Sequence, residues 1–600
     1  MPLVKIPFEE VEVPVTHSAR SCSSCGALPE ALREQAMEHE HFARYMHMIP
    51  TDKYGYPEYV LALDRKMGDN KSPNYIYPVG NATFAHIYPD PDDARNLLIP
   101  IEPIVGRDYL PLMDEVEDRL IDEVHKYPQP AGPDEQRELL LEALEKVTIV
   151  NGTSWMASQA SAQAKTLKDA KDDRGKKEPT ATNAVRKNMK KGALGKGGGK
   201  VKLNQEEFES IRYLLLRDKI GMGIIEPLIL DSNIEDISCA GLGPIFIEHK
   251  TFKAIKSAII FDEFEDLDAF LRRNSERINK PVTYRKPIVD ATLPDGSRIN
   301  IVFGNEVSKR GSNFTIRKFT ATPLSILDII ASGGADYHMM SYLSIMIEEG
   351  MNMWVSGETA SGKTTLLNAI TTFIEPDAKI VTVEDTPEVQ IPHPNWLREV
   401  VRGAAGEGAS VTMFDLLKAA LRQRPNEIIV GEIRGEEGNI AFQAMQTGHA
   451  VMATFHAATV EKLIQRVTAS PINVPKSYMD NLNIVIIASA VKLTNGKLAR
   501  RVLSINELFG YDSVTDSFSF AEVFHWDPMT DTHEFVGHMN SYLLENKVAV
   551  KRGIPASQRR LIYQDLDRRA KVLQKLHKQG ITHFDELYKV ITKARSQKLF

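Results

Sequence analysis

Residues 351–373 read MNMWVSGETASGKTTLLNAITTF. An apolar run leads into Gly357-Glu358-Thr359-Ala360-Ser361-Gly362-Lys363-Thr364, and a helix-forming stretch follows. This is G-x-x-x-x-G-K-[ST], set between a strand and a helix as the pattern requires. Gly357 and Gly362 let the backbone curl so that successive N–H groups point inward. A helix starting near Lys363 adds its positive dipole end. The stretch therefore predicts a nucleotide phosphate loop made by Gly357, Glu358, Thr359, Ala360, Ser361, Gly362, Lys363, Thr364 and Thr365. Lys363 would reach the β- and γ-phosphates of ATP, and the Thr364 hydroxyl would ligate Mg²⁺.

Outward from the loop, strands and helices alternate: KIVTVED, MFDLLKAALRQ, EIIVGEI, NIAFQAMQTG, AVMATFH and VEKLIQRVTA. Continuous apolar strands between helices predict an α/β fold with a mostly parallel sheet covered on both faces. Three further blocks carry chemistry. The apolar strand EIIVGEI brings Glu432 to its end, with Gly431 where an Asp is more usual. VEDTPEVQ places Glu384, Asp385 and Glu388 after a buried strand, where carboxylates face a nucleotide crevice. Mg²⁺ is expected among Thr364, Glu432, Glu384 and Asp385. One of Glu384, Asp385 and Glu388, or else Glu432, could orient the attacking water. His449 and His456 bracket the strand AVMATF and are candidates for sensing the γ-phosphate.

At 600 residues with 42% apolar and 26% charged residues, the chain is long enough for several packed domains. Three cysteines exclude a disulfide scaffold. No apolar stretch approaches a membrane span and no secretory signal is legible, so a cytoplasmic chain is expected. The net charge of −7 is uneven. Residues 156–203 and 551–600 each hold 13 Lys/Arg against 4 Asp/Glu, so the remainder is strongly acidic. Five segments are expected: 1–155, a first partner-binding region; 156–203, a basic flexible linker; 204–322, α+β; 323–545, the nucleotide domain; and 546–600, a helical tail. Thr582 with Asp585 reads as a capping box for the last helix.

In order, the four blocks resemble the Walker A, Asp, Walker B and His boxes of the secretion-superfamily ATPases. MFDLLKAALRQRP, GEIRG and FQAMQTGH look most like the archaeal branch, closest to the archaellum motor ATPase. The resemblance implies a RecA-like ATPase domain preceded by an α+β clamp domain and an N-terminal extension, in a ring-forming, hexameric homo-oligomer. It also implies a polytopic membrane platform protein as partner, a regulatory cytoplasmic partner, and a position at the inner face of the membrane. Arginines of the clamp domain meet the phosphates in such proteins. Arg298 matches best, with Arg310 and Arg317 flanking the next strand, and Arg422 and Arg424 form a further cluster for the nucleotide or a neighbouring subunit. The expected function is an ATP-driven motor for archaellum assembly and rotation. Assembly of a type IV pilus or a type II secretion-like system is the alternative. A nucleic-acid motor is the reading of another class.

Two features stand apart from that reading. Cys22-Ser-Ser-Cys25-Gly resembles a zinc knuckle. His41 and His47 have suitable spacing, but on one continuous helix over 30–48 they point about 240° apart. Cys22 and Cys25 are therefore read as free thiols in a packed turn in preference to a Zn²⁺ pair. The basic linker has no aromatic residue for base stacking, which argues against specific nucleic-acid binding. It reads as a solvated tether, with weak contact to anionic lipid as its functional alternative.

Overall fold

The computed structural model describes residues 3–8, 17–80, 82–90, 93–104, 109–152, 155, 199–319, 322–402, 410–597 and 600. It divides into two units, Met1–Phe319 and Thr320–Phe600. Most of the expected linker, 156–198, lies outside the described residues. Among those residues, no helix is long and apolar enough to cross a membrane.

The first unit is built on one large sheet. Its strands are β1 (Leu3–Val4), β2 (Glu58–Tyr59), β3 (Tyr75–Gly80), β4 (Thr83–Pro89), β5 (Asn96–Ile101), β8 (Ile234–Cys239), β9 (Gly243–His249), β10 (Lys253–Phe261), β11 (Ile288–Thr292), β12 (Arg298–Val302) and β13 (Asn313–Arg317). The order is β11-β12-β13-β8-β9-β10-β5-β4-β3-β2, with β1 on β10. A separate pair, β6 (Thr148–Val150) and β7 (Val201–Leu203), runs parallel. Segments 1–155 and 204–322 were expected as separate regions. The structure joins them, because β5 pairs parallel with β10 (Leu97 opposite Lys256). Each strand carries a local pattern, but nothing local specifies a partner some 150 residues away.

A second difference concerns residues 30–48. They form two helices, Glu30–Glu38 and Glu40–Met48, broken at His39, whose backbone is extended (φ −125°, ψ 103°). The break lets Phe42, Ala43, Tyr45 and Met46 pack beside Ile76, Phe84 and Ile99 of the sheet. Burial of that apolar set wins over helix continuation.

The second unit contains β14 (Met353–Gly357), β15 (Ile380–Glu384), β16 (Trp396–Val400), β17 (Glu427–Ile433), β18 (Ala450–Phe455), β19 (Ile484–Lys492), β20 (Leu498–Asp512), β21 (Ser517–Asp527) and β22 (Thr532–Glu534). Their order is β16-β15-β17-β18-β14-β19-β20-β21-β22. The first six are parallel and the last three continue as antiparallel strands. Both faces are buried, as the apolar runs predict: Met353 and Val355 of β14 enter one core and Trp354 the other.

The apolar stripe of the C-terminal helices packs into the first of those cores. Leu566, Leu573 and Leu576 of the helix Ile562–Lys578 pack with Met339, Leu343 and Met346 of the helix Tyr337–Glu348. The basic character of the segment is partly turned inward. Arg569 reaches Ser344 Oγ and Glu348, and Arg595 donates to the Phe373 carbonyl at 2.6 Å. The Thr582–Asp585 capping box does not form. The last helix begins at Phe584 with His583 as N-cap and no side-chain cap, so Thr582 stands one residue before the cap position.

Leu573 is fully buried. Leu573→Ala is expected to destabilise the second unit by about 2–5 kcal/mol. Denaturant unfolding of the full chain, followed by hydrogen exchange at β14 and β18, checks this. An independently packed tail would leave exchange in those strands unchanged.

Candidate functional site

The loop between β14 and the helix Lys363–Ile370 is bound closely to its surroundings. A Cβ on Gly357 would lie 2.1 Å from the Ala488 carbonyl oxygen, so no side chain fits there. Gly362 is the helix N-cap at φ 89°, a left-handed conformation that favours glycine. Ala360 is also left-handed, at φ 63°. Arg500 Nε donates to the Ala360 carbonyl at 3.1 Å, and the Arg500 chain lies over Gly362. Lys363 is buried, and its Nζ donates to the carbonyls of Gly357 (3.1 Å) and Glu358 (2.9 Å). A glycine turn without room for Cβ, a helix N-terminus and a buried lysine together fit a nucleotide's phosphates.

A chain of polar contacts leaves the loop. Lys363 Nζ is 3.3 Å from His456 Nδ1, and His456 Nε2 is 2.5 Å from Glu432 Oε1. Lys363 Nζ can donate to His456 Nδ1, whereas His456 Nε2 only lies close beside Glu432 Oε1, an oxygen that makes no hydrogen bond among the described residues. Arg434 completes the chain, contacting the other Glu432 oxygen and, at 3.1 Å, Asp385 Oδ2. The geometry follows from topology. In a parallel sheet, residues at or just after the C-terminal ends of strands β14, β17 and β18 share one edge.

The remaining expected residues divide plainly. Glu384 is fully buried and its oxygens are engaged. It accepts from the N–H groups of Glu388 (2.8 Å) and Val389 (2.7 Å), and lies 3.4 Å from Arg398 Nε. It braces the loop that carries Glu388. The Asn368 side chain, from the helix after the phosphate loop, grips the same segment at the Glu388 carbonyl and the Gln390 N–H. Glycine at 431 has a local reason, since a Cβ there would approach Glu384 Cγ to 3.1 Å. His449 is not brought to the site. It precedes β18 while His456 follows it, which separates them by roughly 20 Å at strand rise. Arg422 and Arg424 precede β17 and are likewise at the other end of the sheet from the phosphate loop.

In the first unit, Arg298 and Arg317 are directly opposite on β12 and β13, so they share one face. Arg298 makes a two-pronged contact to Asp290 (3.0 and 2.6 Å), and its guanidinium holds that carboxyl below the usual range. Arg310 is on the exposed loop before β13, and its carbonyl accepts from Leu242. Sequence reasoning assigned no role to Arg434, Asn368 or Arg500. Arg434 stands inside the GEIRG block that was singled out. Arg500 carries no motif and is found only through the fold.

The family model described as Type II/IV secretion system protein matches residues 218–533. The chain belongs to this family. The uncharacterized protein MJ0900 of Methanocaldococcus jannaschii is 39% identical over 564 residues, covering 93% of this chain and 96% of its own length. The type IV secretion system protein PtlH of Bordetella pertussis is 29% identical over 242 residues, covering 36% of this chain and 70% of PtlH. The solved Legionella pneumophila ATPase DotB shares 18% identity over 60% of this chain and 92% of that one, at a TM-score of 0.35. The family makes this chain an ATPase of the type II/IV secretion kind.

Burial pushes the Glu384 carboxyl up to about 7 against the pull of its N–H donors and Arg398. A carboxyl raised on folding contributes stability that is full below its unfolded pKa of about 4.5 and is lost as pH rises through the folded value. Over that window one proton adds a slope of at most about −1.4 kcal/mol per pH unit. Glu384→Gln removes this titration while keeping an acceptor for the two N–H groups. Its stability between pH 5 and 7 should fall less than that of the wild type, read by denaturant midpoints. Parallel profiles would show that Glu384 is not the titrating group.

Proposed function

We propose that this chain is the ATP-hydrolysing motor of an archaeal surface filament, with archaellum assembly and rotation as its work. The observation that carries it is the polar chain Lys363–His456–Glu432 at the mouth of a glycine-built phosphate loop. A lysine that donates to two loop carbonyls is placed to turn onto phosphate oxygens. Glu432 accepts from Arg434 and lies beside His456, which also touches the lysine. Phosphate contact at Lys363 would thus be felt at the carboxylate one side chain away.

Glu388 is given the role of orienting the attacking water. Its backbone is held at the N–H by Glu384 and at the carbonyl by Asn368, so its position follows the helix that opens at Lys363. Thr364 and Glu432 are the residues offered to Mg²⁺, whose chemistry would be to neutralise charge on the phosphate oxygens. Asp385 is tied to Arg434 and Glu384 to the loop, so both are assigned to support. Arg298, with Arg317 beside it and Arg310 nearby in sequence, would supply guanidinium donors to the phosphates. Arg422 and Arg424 suit a neighbouring copy in a hexameric ring. A polytopic membrane protein at the inner face of the cell membrane would receive the mechanical work.

Lys363→Ala should abolish steady-state phosphate release. Glu432→Gln should lower kcat by roughly 10²–10⁴ with nucleotide affinity retained. Wild-type turnover in either variant would defeat the site. For the cellular role, Lys363→Ala is placed on the chromosome and surface filaments are counted by electron microscopy. Loss of archaella and swimming with other pili intact supports the motor reading. Intact archaella with missing pili would move the enzyme to pilus assembly. No change in either would overturn the filament role.

A further inference from the structure

Four metal-ligating side chains of the first unit converge on one point, away from the phosphate loop. Cys22 is the N-cap of the one-turn helix Ser23–Gly26 and Cys25 lies within it, and the Gly26 N–H closes the turn onto the Cys22 carbonyl at 3.0 Å. His47 stands near the end of the helix Glu40–Met48, and His17 comes from the segment before the cysteines. Their ligand atoms all lie within 4.8 Å of one another. The break at His39 makes this possible. It redirects His47 to the cysteines while His41 turns away to donate to the Ala82 carbonyl at 2.7 Å.

We propose that His17, Cys22, Cys25 and His47 form a structural zinc site. A tetrahedral zinc with ligands at about 2.3 Å for sulfur and about 2.0–2.1 Å for nitrogen has ligand-to-ligand edges of roughly 3.3–3.8 Å. Two of the separations fall on that frame, two are slightly shorter, and the widest in the cluster is 4.8 Å, so a metal would draw the four atoms only a little closer to regular. Cys22 Sγ is 3.4 Å and Cys25 Sγ 3.2 Å from His47 Nε2, Cys25 Sγ is 3.8 Å from His17 Nε2, and the two Nε2 atoms are 3.0 Å apart. Both imidazoles present the same nitrogen, with rings nearly perpendicular at 81°. That leaves each ring's Nδ1 pointing outward, as ligation by Nε2 needs. For His17 the outer partner is present: Nδ1 contacts the Glu40 carboxylate, whose second oxygen accepts from the Ala19 N–H at 3.0 Å. A carboxylate behind a ligating histidine fixes its ring and tautomer. All three cysteines of the chain are free, so no disulfide competes for the pair.

Two thiolates and two imidazoles fill four positions and leave none open, which is the arrangement of a structural site and not a catalytic one. Its effect would be to staple residues 17–28 to the helix Glu40–Met48, whose apolar side covers β4 and β5. The site is independent of the motor reading.

The test uses the full chain purified without chelator and analysed for metals by mass spectrometry. About one zinc per chain is expected for the wild type and for His41→Ala, and background zinc for the Cys22→Ser/Cys25→Ser double variant. Because that variant could misfold, the wild type is also stripped with chelator and titrated with Co²⁺. Thiolate-to-cobalt charge transfer and the visible bands of tetrahedral cobalt should saturate at about one equivalent and bleach on adding zinc. Zinc at background in the wild type, zinc kept by the double variant, an octahedral cobalt spectrum, or a Cys22–Cys25 disulfide in freshly purified protein would each overturn the proposal.

Discussion

The Ala488 carbonyl of β19 leaves no space for a side chain at Gly357, where β14 ends. The organisation of the site follows from that close approach. It holds β14 between β18 and β19, brings the turn directly over the strand ends, and points the helix at Lys363 across the mouth of the sheet. Arg500 closes the turn from outside, on the antiparallel extension of the same sheet. The loop is thus clasped by parallel strands on one side and a β20 arginine on the other. Its N–H groups are oriented by the fold before any phosphate arrives, so little reorganisation remains to be paid for on binding.

Around this loop the charges are coupled rather than scattered. Lys363, His456, Glu432, Arg434 and Asp385 form one line of contacts from β14 through β18 and β17 to the loop after β15. A second line runs from the helix after the phosphate loop through Asn368 to Glu388, and from Glu388 to Glu384. Glycine at 431 belongs to this second line, because it makes room for Glu384. The glycine lies against a buried glutamate on the adjacent strand. Two carboxylates then remain distinct in environment: Glu384 buried and bracing, Glu432 partly exposed and joined to the lysine through histidine.

Features encoded over a few residues were legible in the sequence. The glycine spacing, the apolar strands and the helices between them predict the parallel half of the second unit, and Lys363, Glu432 and His456 from separate blocks do meet. What depends on pairing across long separations was not legible. Strand β5 joins β10 through contacts that no local pattern specifies. Arg500 touches the loop for the same reason. His449 and His456 were paired as bracketing one strand, and the six residues of that strand place only His456 at the loop's end of the sheet. The cysteine pair shows a subtler limit. Helical periodicity correctly set His41 against His47, but the one-residue break at His39 decides which of them turns to the thiols.

Steady-state ATP hydrolysis by His456→Ala beside His449→Ala tests the central claim most directly. The account makes His456 the link between Lys363 and Glu432, and leaves His449 outside the site at the far end of β18. It predicts a loss of roughly 10²-fold or more in kcat for His456→Ala, with turnover close to wild type for His449→Ala. Equal losses in the two variants, or full activity without His456, would contradict it.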